Sequence, residues 1–576
     1  MNKEKFLIRP EEVESFTTVY QILDHAARRY PDKAAYRQLE NRSDESSVTF
    51  SELKNDVLAL REALLERGYR GRHVAVMGET SYQWITAYMA LVSGVGVCVP
   101  IDRELQPEAI SAQLKDSRAD TVFCSARSLK KLRSALESCP GVKTFVVMRG
   151  GDENDAQQGF LRFSDLVEEG RELLGGGAGK LPPEQTDPDE TAVIIYTSGT
   201  TGANKGVMLS NRNIMGTLRG CARLLHYPDV SFSVLPINHS YELHAHIMSC
   251  MYCGTTVCIN NDLKYLVKNL ERFRPEMSCM VPMMLDLIVR KLKKQIADSG
   301  KQKEFDRGVK LSRALRKVGI DIRRRTFAEV LRPLGGRLRM IVCGGAALNQ
   351  DTADFLDNIG IEIYNGYGIT ECSPVAAVNP LGKARRFSVG HLLPTMEARI
   401  SDPDADGNGE IQLRGDNVMQ GYWNLPEDSE RVFTSDGWFR TGDIGHIDRH
   451  NFLYISGRLK NLIILPNGKN ISPEEIEEAL MKRLPYVKEC VVYADESNTG
   501  IYAICYLDED FRAENSLTDS AAAKKRLLDD VSLFNSEMPS YKRITDVQIS
   551  DSEFEKNTTH KIQRFKIAAV ASKTKV

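Results

Sequence analysis

Apolar positions recur at two different periods along the chain, and their alternation predicts the fold class. Leu53, Val57, Leu60 and Leu64 fall on one face of a helix over 50–67 that opens at Ser51-Glu52-Leu53. The short apolar runs 73–77 and 121–124 have strand length. The longest uncharged run, 84–101, is broken by Ser93, Gly94 and Gly96 before Val97-Cys98-Val99, which predicts a buried helix turning into a strand and not a membrane span. Further on, 192–196 and 338–343 predict strands, and Leu285, Ile288, Val289, Leu292 and Ile296 take helical spacing. Polar, Gly-rich stretches at 149–158 and 175–189 predict loops. Helices alternating with strands predict an α/β core, and no repeat with a period of 20 to 50 residues suggests a solenoid or propeller.

A second unit is predicted near the C-terminus. Ser472-Pro473-Glu474-Glu475 has the form of a helix start, with a hydroxyl N-cap, Pro at the first helical position and a Glu three residues on to close a capping box. Ile476, Ala479 and Leu480 form the apolar stripe of that helix. The runs 490–493 and 501–506 add strands to a small α/β domain that extends from Leu459.

Composition narrows the class. A chain of 576 residues is too long for one core, so two or three structural units are expected. Its 76 Lys+Arg against 78 Asp+Glu disfavour a dedicated nucleic-acid binder, and 42% hydrophobic residues disfavour disorder. Twelve cysteines without dense spacing, and an N-terminal stretch lacking a signal-peptide core, predict a reduced, cytoplasmic protein. Charge is uneven in one place: 290–339 holds 17 Lys+Arg against 5 Asp+Glu. That excess reads either as a solvated helical face or as a surface for anionic lipid headgroups or polyphosphate.

The residues richest in chemistry follow the strand at 192–196. Thr197, Ser198, Gly199, Thr200, Thr201 and Gly202 are all Ser, Thr or Gly, and Lys205 lies close behind. Glycines let backbone N–H groups approach an anion, hydroxyls add donors and the lysine adds charge, so the segment is suited to a polyphosphate. It is not a Walker A loop, because no Gly precedes Lys205 directly and no Ser or Thr follows it.

This string resembles the phosphate-binding signature of the adenylate-forming superfamily, which includes acyl-coenzyme A synthetases, nonribosomal-peptide adenylation domains and luciferases. Other motifs of that family follow in order over nearly the whole chain. Leu235-Pro236-Ile237-Asn238-His239-Ser240-Tyr241-Glu242 is similar to the segment lining the acyl pocket, with His239 as the candidate. His239, His244 and His246 could alternatively ligate a metal, although their spacing matches no standard zinc helix motif. Cys250 and Cys253 form a single CxxC that reads as packed thiols before zinc or redox chemistry. Gly344-Gly345-Ala346-Ala347 looks like the adenine-contacting turn, where small residues admit a flat ring. In Asn365-Gly366-Tyr367-Gly368-Ile369-Thr370-Glu371 the resemblance implies Tyr367 on adenine, Thr370 at the α-phosphate and Glu371 on Mg²⁺. Asp443 matches the ribose carboxylate, Arg458 a group reaching ribose or phosphates, and Lys460 the pivot. Lys561 aligns with the catalytic lysine, with His560 where the family usually has Gly.

The resemblance implies an α/β fold: a large N-terminal domain of several subdomains, 1–457, a hinge at 458–460, and a small mobile α+β domain, 461–576. It implies a ligase that joins a carboxylic acid to ATP as an acyl-adenylate, releases pyrophosphate, and then passes the acyl group to coenzyme A with loss of AMP. ATP, Mg²⁺ and coenzyme A are the expected cofactors. The stretch Met280-Val281-Pro282-Met283-Met284 and the basic region after it resemble long-chain fatty acyl-coenzyme A synthetases, with peripheral membrane contact through 290–339. Two alternatives stand beside this: an adenylation enzyme that loads a separate carrier protein, and a nucleotide-binding homologue of weak activity.

Overall fold

The computed structural model describes all residues except 1–15, 41–43, 138, 140, 150–159, 178–184, 199–203, 466–469, 496–499, 516, 518, 557–561, 563, 565, 566 and 568–576. The chain forms two compact units, Met1–Ala398 with Leu413–Phe439, and Arg399–Gln412 with Arg440–Val576. Residues 399–412 and 440–457 group with the C-terminal residues.

The first unit is α/β, built on two large sheets. One runs in the order His391–Leu392, Val375–Val378, Glu362–Gly368, Met340–Cys343, Met277–Met280, Val230–Ser233, Thr256–Ile259, Ala34–Leu39, Glu45–Thr49, with its five central pairings parallel. The other carries Arg72–Met77 at its centre, parallel to both Gly96–Ile101 and Thr121–Cys124, and adds the antiparallel pair Thr191–Ser198 and Asn204–Ser210. Parallel strands are joined by helices packed on the sheet faces, so long apolar runs such as Val74–Met77 are buried on both sides.

Local sequence explains the helices. Phe50–Glu66 buries Leu53, Val57, Leu60 and Leu64 as its spacing predicts. Its cap lies earlier than expected: Thr49, not Ser51, accepts the Glu52 N–H at 3.1 Å, and Glu52 accepts the Thr49 N–H at 2.8 Å. This reciprocal pair satisfies two N–H groups that the helix leaves open. The uncharged run becomes the helix Tyr82–Ala90, a π-turn at Leu91–Val95 and the strand Gly96–Ile101. Pro282–Asp298 buries Leu285, Ile288, Val289, Leu292 and Ile296 against the first sheet. No helix among the described residues is long and apolar enough to cross a membrane, and all twelve cysteines are buried thiols outside any disulfide.

The second unit has its own core around Ile476, Leu480, Val492, Ala503, Leu527 and Val547. There the strands Val487–Ala494, Ile501–Leu507 and Ile544–Ser550 form a sheet covered by the helices Pro473–Arg483 and Ser520–Glu537. The predicted capping box at Ser472 does not form. Its hydroxyl donates to Glu474 Oε2 at 3.0 Å and accepts no helical N–H. Gly457 packs close to this hydroxyl, where an added Cβ would lie 2.2 Å from Ser472 Oγ. The strand Leu453–Arg458 therefore runs hard against this helix start.

Candidate active site

In open parallel sheets the chain leaves the carboxyl ends of neighbouring strands as loops, and ligand groups gather there. Cys343 leads into Gly344, Gly345, Ala346 and Ala347, of which the last three are exposed. Gly345 adopts φ +89°, a left-handed conformation that glycine takes without strain. Next to it in the sheet, Glu362–Gly368 brings Asn365, Gly366 and Tyr367 to the same end through the Val342–Tyr364 and Cys343–Asn365 register. Tyr241 fastens this region by donating its hydroxyl to the Val342 carbonyl at 3.0 Å.

The turn after Gly368 holds Thr370 and Glu371 in a short 3₁₀ segment. A side chain at Gly368 has no room, because its Cβ would fall 2.1 Å from the Pro374 carbonyl oxygen. The turn is tied down at several points. Met419 N–H donates to the Glu371 carbonyl at 2.8 Å, Ser373 Oγ to the Asn417 carbonyl at 2.8 Å, and Ile369 N–H to the Pro374 carbonyl at 2.9 Å. Glu371 therefore sits on a fixed backbone with its carboxylate half-buried.

Two residues that the sequence reading did not single out complete this cluster. Tyr422 donates its hydroxyl to Glu371 Oε1 at 2.9 Å, and the Lys205 ammonium lies 4.9 Å from the centre of the Tyr422 ring. Lys205 also pairs with Asp428 at 2.9 Å. Burial, and then the Glu371 carboxylate, push the Tyr422 phenol well above its ordinary value, so it is a committed donor. The hydrogen bond from Lys205 draws the Asp428 carboxyl below the usual range. Gly421–Tyr422 pairs with the strand Asn204–Ser210, which is why residues more than two hundred apart in sequence meet. The signal that could have found Tyr422 is its place in Gly421-Tyr422-Trp423, a short aromatic strand.

Thr197 pairs with Lys205, and Ser198 with Asn204, in the antiparallel register. Gly199, Thr200, Thr201 and Gly202 lie outside the described residues, as do His560 and Lys561. His239 follows the strand Val230–Ser233 of one sheet, and its Nε2 lies 3.9 Å from Oδ2 of Asp102, which follows Gly96–Ile101 of the other. Asp102 is buried, with Oδ1 accepting the Glu104 N–H at 2.8 Å.

His244 and His246 do not join His239. Both are fully buried on the π-helical turns Tyr241–Met248. His246 Nδ1 lies 3.0 Å from Glu242 Oε1 and its Nε2 2.6 Å from Ser231 Oγ, while His244 Nε2 lies 2.9 Å from Tyr88 Oη. Burial lowers the His246 pKa and the Glu242 carboxylate more than reverses this, to about 10. Burial takes His244 down to about 3, against a smaller upward pull from the Ser373 backbone. Among the described residues no group of three or more His, Cys, Asp or Glu is placed to hold a metal.

In the second unit, Asp443 and Arg458 face each other across the strands Phe439–Ile447 and Leu453–Arg458, with Nε 3.0 Å from Oδ1. Asp443 is buried and Lys460 exposed. Asn461 donates to Glu474 Oε1 at 2.6 Å, linking the turn at Leu459–Asn461 to the following helix.

The residues present fit a nucleotide. Asn365 Oδ1 is buried without a hydrogen-bond partner among the described residues, beside the turn of small residues. An acceptor left open in this way suits a donor such as the exocyclic amino group of a purine. Glu371 offers a hard oxygen ligand for Mg²⁺.

Two family models match the chain, the AMP-binding enzyme over residues 23–423 and the AMP-binding enzyme C-terminal domain over 460–571. Among curated relatives, a long-chain-fatty-acid–CoA ligase, FadD15, of Mycobacterium bovis is 29% identical over 524 residues, spanning 85% of this chain and 83% of that protein. The peroxisomal long chain acyl-CoA synthetase 7 of Arabidopsis thaliana is 29% identical over 525 residues, 85% of this chain and 73% of its own length. Among solved structures, the anthranilate CoA ligase AuaEII in complex with anthranoyl-AMP superposes with a TM-score of 0.76 at 21% identity, covering 98% of this chain and 99% of that one. ATP-bound MatB from Rhodopseudomonas palustris gives 0.73 at 23% identity, covering 96% and 98%.

Proposed function

The chain belongs to the AMP-binding enzyme family, and from that premise we propose that it is an ATP-dependent acyl-CoA ligase acting on a medium- or long-chain fatty acid. The observation that carries the reading is the convergence of Lys205, Tyr422 and Glu371 in one cluster, close in sequence to the Thr197–Gly202 segment and to Thr370. The names of the curated relatives support the acid and the thiol acceptor.

In the first half-reaction the carboxylate of the acid attacks the α-phosphorus of ATP and pyrophosphate leaves. No enzyme nucleophile is required. The protein's contribution is to hold two anions together and to offset the charge growing on phosphate oxygens. Tyr367 stacks on the adenine, with Gly345, Ala346 and Ala347 against its edge and Asn365 accepting from its amino group. Gly366 and Gly368 keep that strand end free of side chains. Thr370 donates to the α-phosphate, and Thr197, Ser198, Gly199, Thr200, Thr201, Gly202 and Lys205 cradle the phosphates. Asp443 accepts from the ribose hydroxyls and Arg458 reaches ribose or phosphate. Glu371 would hold Mg²⁺, which when bound neutralises phosphate charge. Lys561 donates to the transferring groups. His239 lines the acyl pocket, held towards Asp102. In the second half-reaction the coenzyme A thiol attacks the acyl carbon and AMP leaves.

We assign residues 1–457 to the nucleotide- and acyl-binding domain, 458–460 to a hinge pivoting at Lys460, and 461–576 to a mobile lid. We place the protein in the cytoplasm, with the basic stretch 290–339 against anionic lipid, where fatty acids partition.

The test is a panel of carboxylic acids of graded chain length, scored for pyrophosphate with and without coenzyme A. Release that depends on a fatty acid, with coenzyme A consumed in proportion, is the expected result. Acid-dependent release with coenzyme A untouched would overturn the acceptor, and the absence of acid-dependent release would overturn the ligase.

A further inference from the structure

The segment 301–322 combines two features that rarely coincide on a surface facing only water. Across the described residues nine large hydrophobic side chains are exposed, and three of them, Leu311, Val318 and Ile320, fall within ten residues. They are 55%, 70% and 51% exposed. Around them stand Lys303, Arg307, Lys310 and Lys317, all exposed. None of these four pairs with a carboxylate among the described residues, whereas neighbouring Lys301, Arg316 and Arg323 are paired with Glu329, Asp357 and Asp321.

The arrangement is built, and not a loose loop. Helix Gln302–Arg316 turns Phe305 and Val309 inward onto the core and buries Ser312, which leaves Leu311 on the outer side with Arg307 and Lys310. The helix ends at Gly319, with φ +81°, and Ile320 N–H returns to the Leu315 carbonyl at 3.0 Å. A residue at this place after a left-handed cap usually packs back on the helix. Ile320 instead points into solvent. Behind it, Arg323 is buried and bonds Asp321 at 2.7 to 3.1 Å and the Asp357 carbonyl at 2.8 Å, so the turn is anchored from within.

We propose that this helix end is a membrane-docking wedge: Leu311, Val318 and Ile320 enter the headgroup–acyl boundary of an anionic bilayer while Lys303, Arg307, Lys310 and Lys317 meet its phosphates. It rests on the lipid contact proposed above and names the side chains that make it. Unpaired cations choose an anionic surface, and exposed aliphatic residues among them choose one with an apolar interior; an anionic bilayer supplies both. A polyphosphate or nucleic acid would use the cations and leave the aliphatic residues in water.

The full chain is tested by co-sedimentation with vesicles of phosphatidylcholine alone and of phosphatidylcholine with phosphatidylglycerol. Binding to the anionic vesicles, weakened by salt, is expected. Val318→Asp with Ile320→Asp should lower the vesicle affinity about tenfold or more. Lys310→Glu with Lys317→Glu should lower it about twenty-fivefold or more, each lost cation counting for about fivefold. Both pairs of positions are exposed, and circular dichroism checks that the variants fold. Equal binding to both vesicle types, variants that bind as wild type does, or a dimer that the variants convert to monomer would overturn the proposal, the last by making the wedge a contact between copies. Pyrophosphate release on octanoate, a medium-chain acid soluble without vesicles, separates the two readings. If that release persists while vesicle binding is absent, the wedge fails and the ligase stands; vesicle binding without acid-dependent release gives the reverse.

Discussion

Glu242 and Glu371 are both carboxylates of the first unit held by a neighbouring side chain, yet one is sealed and the other half open. Glu242 is fully buried against His246, which in turn meets Ser231. Glu371 accepts from Tyr422 at the carboxyl end of the sheet, with Lys205 over the same ring and Asp428 beyond it. A sealed ion pair is held by low dielectric and cannot exchange partners without desolvation cost. A half-exposed cluster exchanges partners readily, because water compensates each group as it lets go. Burial therefore sorts two sets of polar residues, adjacent to motifs of the same family, into one sealed within the fold and one left half-exposed.

The strongest way to break this contrast is Glu242→Gln. Removing one partner of a buried pair leaves the other uncompensated and costs about 3–5 kcal/mol, so denaturant unfolding should show a large loss with unchanged kcat in the fraction that remains folded. The pH dependence has a defined sign. His246 is raised from its ordinary 6.5 to about 10, so its contribution to stability is complete below pH 6.5 and is lost as pH rises through about 10. Wild type should weaken over that interval more steeply than the variant. Parallel pH profiles for the two would show the pair to be unimportant to the fold.

For the proposed reaction the largest effect belongs to Lys561. Lys561→Ala should lower acid-dependent pyrophosphate release by about 10²–10³ and largely spare thioester formation from supplied acyl-adenylate. An equal loss in both half-reactions would remove Lys561 from the role proposed for it. Tyr422→Phe follows in size. It keeps the ring under Lys205 and removes only the hydroxyl that donates to Glu371, a hydrogen bond to a charged group, so about a tenfold loss is expected. The loss should be greatest at limiting Mg²⁺ and recover as Mg²⁺ is raised. A loss independent of Mg²⁺ would separate Tyr422 from the role proposed for Glu371.

Periodicity made the elements legible: the helix Pro282–Asp298 was visible in five apolar positions, and the strand Thr121–Cys124 in a short apolar run. Local chemistry was less reliable. The capping box expected at Ser472 required its hydroxyl to accept a helical N–H, and it donates to the Glu474 carboxylate instead. The candidate site was legible where a motif is contiguous, as in 365–371, and where a hairpin register joins near neighbours, as with Asp443 and Arg458. Tyr422 and Asp428 were not, because they reach Lys205 only through the pairing of Gly421–Tyr422 with a strand more than two hundred residues earlier. The histidines stand close in sequence, and burial divides them: His244 and His246 are sealed, while His239 is only half-buried.

Asp428 tests the contrast at its finest. Its carboxylate pairs with the Lys205 ammonium at 2.9 Å, so a phosphate that binds this lysine competes with it for charge. If the cluster is open in the sense argued above, Asp428 competes with the nucleotide and contributes nothing further. Asp428→Asn then lowers the KM for ATP and leaves kcat unchanged. The change should stay below about fivefold, since an ion pair in water is weak and Lys205 keeps its place over the Tyr422 ring. If Asp428 instead aims Lys205, the same substitution raises KM, and Tyr422 alone cannot be what fixes the ammonium. Because the two accounts give opposite signs, even a twofold change measured against ATP concentration decides between them.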